Sequence, residues 1–167
     1  MIRDELVTDP TLAAGLRDDV APPVLASAAE AALAPLRAEG VDLILEGFLA
    51  HHGTPRHLRA DGAPHVLAGD FCYATGLVRV AEAGDVGVIA LLAALVARSA
   101  GLVADGRRGA LDALWRCVVH VIAAPDRAAA SARLADALTA LDAGDDGPLT
   151  RLAAAAPVAP GLAEAFA

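Results

Sequence analysis

The sequence predicts an all-α protein, an antiparallel helical bundle, from three observations. Its 56% hydrophobic share comes mostly from alanine, leucine and valine, and only 3% of residues are aromatic. Alanine and leucine are among the strongest helix formers, and small side chains let helices approach closely. Apolar residues recur three and four apart, with no strand-like alternation and no fixed-period repeat. Prolines and glycines fall between these periodic stretches, where helices start and stop. The 167 residues suit one domain. The expected layout is an N-terminal segment 1–22, a helical bundle 23–143 and a C-terminal tail 144–167.

In the first segment, Leu12 and Leu16 are spaced for a short helix, and Asp18-Asp19 reads as its solvated end. Pro22-Pro23 starts a helix whose face carries Val24, Ala28 and Leu36, with Pro35 ending or kinking it and Gly40 breaking the chain. A second helix runs from Val41 to about His51, and Gly53-Thr54-Pro55 stops it. Pro64 opens a third, to about Ala83. Gly84 breaks that one, and Asp85 is placed to cap Val86–Ala104, a helix apolar nearly all round and therefore expected at the centre. Helices follow over 110–123 and from Pro125 to about Leu141, before a turn containing Asp145-Asp146.

Charge and composition narrow the function. All thirteen basic residues are arginine, which excludes Schiff-base lysines and phosphate-loop lysines. A net charge of −8 with no basic run argues against nucleic-acid binding. Cys72 and Cys117 lie far apart in apolar patterns and read as buried free thiols of a reducing cytosol. The charged N-terminus has no signal-peptide core, and the apolar run Val86–Ala97 falls short of the roughly 20 residues of a membrane span. A cytoplasmic protein without a membrane span is the expectation.

The chemistry-bearing residues concentrate in Val41–Asp70. This stretch holds four of the five histidines: His51, His52, His57 and His65. Asp42 and Glu46 are four apart on one helix face, where two like charges need solvent, an arginine or a cation. No histidine pair has the four-residue spacing of a helical zinc site, so loop histidines in solvent are the plainer reading. Gathered with Arg56 and Arg59, they would form a pH-sensitive anion site. Asp70 follows Gly69 in an apolar helix, where it either pairs with an arginine such as Arg98 or faces a pocket. His120 sits between valines as a core or interface histidine.

Asp42-Leu43-Ile44-Leu45-Glu46, four residues, then His51-His52-Gly53-Thr54-Pro55, resembles the DDxxD and RRGxP sequence of trans-polyprenyl diphosphate synthases. Val66-Leu67-Ala68-Gly69-Asp70-Phe71 and Gly84-Asp85 extend the resemblance across about 36–106. It implies a bundle like part of the isoprenoid synthase fold. It also implies Mg2+ at Asp42 and Glu46, an allylic diphosphate at His51, His52, Arg56 and Arg59, and Asp70 facing the pocket. The departures are specific: Leu43 replaces the second aspartate, His51 and His52 replace the arginines, and no second aspartate-rich motif follows on a helix. Ionising a diphosphate needs strong, pre-placed positive charge.

The expectation is therefore a catalytically impaired synthase-like protein, an accessory or regulatory partner in isoprenoid metabolism. It would form homo-oligomers or hetero-oligomers with a catalytic subunit. The alternatives are a divergent prenyl-transferase or terpene-type enzyme using Asp42, Glu46 and Asp70 around Mg2+, and a helical interaction module unrelated to isoprenoids.

Overall fold

In the computed structural model, residues 2–18, 35–59, 64–159 and 161–167 are described. The helix expected from Pro22-Pro23 lies outside them. The described residues are all-α, with no strand and one isolated bridge, Leu16 to Leu58. In chain order the helices are α1 (Ile2–Leu6), α2 (Pro10–Ala13), α3 (Pro35–His52), α4 (Pro64–Glu82) and α5 (Val86–Ala104). A 3-10 turn, Arg108–Ala110, leads into α6 (Leu111–Ala123), α7 (Arg127–Asp142), α8 (Gly147–Ala154) and α9 (Leu162–Phe166).

The central helix is α3. Every residue from Gly40 to Ala50 is buried, carboxylates included. Pro35 opens this helix, where a missing N–H costs nothing, and the segment it was expected to end or kink lies outside the described residues. Gly40 does not break it. Gly40 and Gly47 on α3 meet Gly76 and Gly69 on α4, because the two helices run antiparallel with the same seven-residue spacing. A Cβ on Gly40 would lie 2.8 Å from the Gly76 carbonyl oxygen, and one on Gly47 would lie 2.9 Å from that of Gly69. Only hydrogen fits at either level, so the glycines set how closely α3 and α4 approach.

Two apolar clusters flank α3. On one side Val41, Ile44, Phe48 and Leu49 join Leu92, Leu114, Trp115, Leu149 and Leu162. Phe48 lies 5.5 Å from Trp115 and 5.9 Å from Phe166, ring centre to ring centre, in tilted and edge-on arrangements. Residues 144–167, read as a tail, thus supply Leu149, Leu162 and Phe166 to the same core. On the other side Leu43 and Ala50 pack with Leu6, Leu12, Leu16, Leu58, Ala68 and Cys72. The N-terminal segment closes that second cluster.

The expectation of a central α5 is overturned. Only Val88, Leu92, Leu95, Ser99 and Leu102 are buried on it, while Ala90, Ala94, Ala97, Gly101 and Ala104 face outward. Alanine made the helix look apolar all round, yet alanine is too small to demand burial. The helix also continues past Arg98. At 19 residues with mean hydropathy 2.2 it is long and apolar enough to cross a bilayer by length and composition, contrary to the shorter run counted in the sequence. Its predicted cap is present: Asp85 Oδ1 accepts the Val88 N–H at 3.2 Å. Asp85 also pairs with Arg127 at 2.7 Å and Arg37 at 3.4 Å, and the Arg127 hydrogen bond leads in holding its carboxyl below the usual range.

Candidate functional site: a buried carboxylate clamp

The C-terminal end of α3 carries most of the residues singled out in the sequence. Beyond His52 the chain turns at Gly53, and residues 54–58 fold back along the helix they have just left. Pro55, which has no N–H to satisfy, is buried at the bend. The next three amides all point at one side chain. The Arg56 N–H lies 3.1 Å from both Glu46 carboxylate oxygens. The His57 and Leu58 N–H groups donate to Glu46 Oε1 at 2.8 and 3.1 Å. Glu46 is 1% exposed. The loop's orphan donors and a buried anion thus satisfy each other.

Electrostatics around Glu46 pull in opposite directions. Burial raises its carboxyl above the ordinary range, opposed by the three amides and by the Arg56 guanidinium. Asp42, one turn earlier, is also buried. Arg56 lies in the field of both carboxylates; burial lowers its pKa, and Asp42 and then Glu46 oppose that. The sequence condition on the pair is met by a mixture of arginine and backbone.

The N-terminal segment locks the loop from outside. Arg17 N–H donates to the His57 carbonyl at 2.9 Å, and Arg59 N–H donates to the Gly15 carbonyl at 2.8 Å. Arg3 Nη1 closes the strap on the Arg17 carbonyl at 2.7 Å. Leu58 is thereby buried among Leu6, Leu12 and Leu16.

The other predicted site residues have separate partners. His51 Nε2 and Asp70 Oδ1 are 3.1 Å apart, and the His51 ring stacks on Tyr73 with planes 6° apart. Asp70 therefore pairs with His51, and Arg98, its suggested partner, pairs with Asp142. The His52 ring sits 4.9 Å from Phe48, and the His52 carbonyl accepts from Arg108 at 2.6 Å. Arg108 also reaches the Phe166 carbonyl at 3.2 Å, docking α9 against the end of α3. Arg59 pairs with Asp18 at 3.3 Å on the surface. His51, His52, Arg56 and Arg59 therefore serve four different partners. Among the described residues no group of three or more His, Cys, Asp or Glu side chains is gathered as a metal ion would need. Cys72 and Cys117 are buried and free, as expected, and burial pushes their thiols up to about 12 and about 11.

His57 gives the clamp a pH dependence. Burial, followed by the charges of Arg56 and Arg3, pushes its imidazole down from 6.5 to about 4. Between those values the unfolded chain takes a proton that the folded chain refuses. This contribution to stability is therefore present above about pH 6.5 and is lost as pH falls toward 4. The raised Glu46 carboxyl acts with the opposite sign, its contribution falling as pH rises above 4.5. Melting curves between pH 7 and pH 4.5 isolate the histidine, since Glu46 is common to wild type and His57→Gln. The wild type is expected to lose more melting temperature on acidification than the variant. Parallel losses would contradict this role.

Compared with protein-family models, curated proteins and solved structures, the chain matches none. What fold and site define is a class by geometry: an all-α protein with a glycine-seamed helix pair and a carboxylate-clamped loop.

Proposed function

We propose that the chain is a non-catalytic helical subunit, built on the plan of a polyprenyl diphosphate synthase, that acts through association with a catalytic partner in isoprenoid metabolism. The observation that carries this reading is the engagement of Glu46. In the motif it resembles, that position offers oxygens to Mg2+; here they accept three backbone N–H groups, and Asp42 lies beside the Arg56 guanidinium. A hard cation needs several free oxygen ligands. The scaffold spacing is retained while its carboxylates hold the loop.

The surface supports association. On α4, Val66, Leu67, Leu77 and Val78 are exposed, Leu67 at 56% and Val78 at 53%. With Ala74 and Ala81 they form an outward stripe at helical spacing. Contiguous exposed apolar patches mark interaction sites. Light scattering across a concentration series is expected to find self-association in the absence of the partner. The double change Leu67→Arg, Val78→Arg should give a monomer with an unchanged melting temperature. A wild type that stays monomeric at high concentration and retains no partner from its host contradicts the proposal. So does calorimetric binding of an allylic diphosphate that requires Mg2+ and vanishes in Asp42→Ala.

A further inference from the structure

A groove of about 470 Å³ runs between α5 and α7, over α6. Its two walls point the same way. Asp85, just ahead of α5, pairs with Arg127 at the start of α7, and Arg98, late in α5, pairs with Asp142 at the end of α7. α6 packs against both helices and brings the buried Leu114 and Val118 to the groove, with the buried Leu95 and Leu134 on its walls. The outward-facing Ala94, Ala97 and Gly101 belong to the same lining. The groove therefore takes up apolar surface of α5 that the core leaves uncovered. Along α5 the lining extends from Leu91 to Asp105, about 20 Å of helix.

Charge gathers at one end of this groove. Because α5 and α7 run in parallel, their C-terminal, carbonyl-bearing ends come together there, and such ends favour cations. Both arginines of the lining are engaged at that end: Arg98 pairs with Asp142, while Arg107 donates to the Leu141 carbonyl at 3.0 Å and pairs with Asp146. Asp105 is different. It stands at the C-terminal cap of α5, lines the groove and is exposed. Its carboxylate makes no hydrogen bond or ion pair with any other described residue. An apolar trough thus leads to one unmatched negative charge beside two helix C-termini.

We propose that this groove binds a small chain-like amphiphile with a cationic head, of the alkylammonium class. The head sits at the end where Asp105 and the two helix C-termini supply negative potential, and an ammonium donates to the carboxylate in a charge-assisted hydrogen bond. The chain lies along Leu95, Leu114, Val118 and Leu134. An anionic head would meet three carboxylates, those of Asp105, Asp142 and Asp146, against two arginines already paired. A neutral head gains nothing from the unmatched charge. The volume falls within the range of small-molecule sites, roughly 300–1,000 Å³, and the long, narrow outline suits an extended chain.

The test is calorimetric titration of the full chain at pH 7 with octylammonium, octanol and octanoate, which share a chain and differ in head charge. Octylammonium is expected to bind one to one and most tightly, and octanoate most weakly. Asp105→Asn should weaken octylammonium roughly five- to tenfold and leave octanol as it was. Ala94→Phe, at an exposed position of the lining, should block all three ligands with little change in melting temperature. Asp136→Asn, exposed on α7 outside the lining, should change neither affinity nor melting temperature. No binding of octylammonium at millimolar concentration overturns the proposal. So does octanol or octanoate binding as tightly, or octylammonium binding that survives either Asp105→Asn or Ala94→Phe undiminished. Self-association that Ala94→Phe abolishes would assign the groove to a second copy of the chain and overturn it as well. The α4 stripe contributes nothing to this groove, so failure here is separable from failure of the subunit reading.

Discussion

Replacing Glu46 with alanine is expected to destabilise the protein by on the order of 3–5 kcal/mol, because three amides, that of Leu58 buried and those of Arg56 and His57 partly so, lose their acceptor together. For a chain of this size that corresponds to a fall in melting temperature of about 10 °C or more. The loss also leaves Asp42 and Arg56 without the third member of their charge cluster. Glu46→Gln, which keeps one oxygen but turns an NH2 toward the loop amides, should fall between alanine and wild type. Thermal melts of the three proteins at pH 7 check the order. A neutral Glu46→Ala would mean that the loop holds itself, and the clamp would have no energetic content.

The second large effect is at the glycine seam. Alanine in place of a helical glycine normally gains up to about 1 kcal/mol. At Gly76 a Cβ would stand 2.7 Å from the Gly40 carbonyl oxygen and 2.7 Å from Ile44 Cγ1, and at Gly47 it would meet the Gly69 carbonyl and Tyr73. Backbone cannot step aside as a flexible side chain does, and overpacking of this kind costs about 1–3 kcal/mol. The clash should win. Gly47→Ala and Gly76→Ala are each expected to destabilise by about 1–2 kcal/mol and to add in the double variant, being two helical turns apart on the seam. Gly101→Ala, on the outer face of α5 with nothing within 4 Å, should instead stabilise. Opposite signs from one chemical change distinguish a seam from a general tolerance for alanine. Denaturant melts of the wild type and the four variants measure it.

How much of this was legible in the sequence follows from which forces decide each feature. Local signals carried well. Proline at the start of α4, Asp85 at the cap of α5 and the Gly53-Thr54-Pro55 stop are short-range effects, and the helices begin and end close to where those residues place them. Gly40 was misread as a break because a glycine's helix penalty is small and tertiary approach overrides it. The corrective signal was present, in the equal seven-residue intervals from Gly40 to Gly47 and from Gly69 to Gly76. α5 was misplaced because alanine counts as apolar in a pattern while contributing little drive to be buried.

The site was half legible. The pairing of Asp42 and Glu46 is a property of helical spacing and could be read directly. What they pair with could not, because the amides of Arg56, His57 and Leu58 become donors to Glu46 only once the chain has folded back. Sequence spacing resembling a metal motif and backbone geometry serving a loop are compatible on the same carboxylates, and only coordinates separate them.

The central claim is that Glu46 is committed to the loop rather than to a cation, and amide hydrogen exchange reads this directly. The Arg56, His57 and Leu58 amides are predicted to exchange as slowly as those in the middle of α3, with rates unchanged by Mg2+ and an allylic diphosphate added together. Fast exchange at these three positions, or a change there on addition of the metal and diphosphate, would contradict the account.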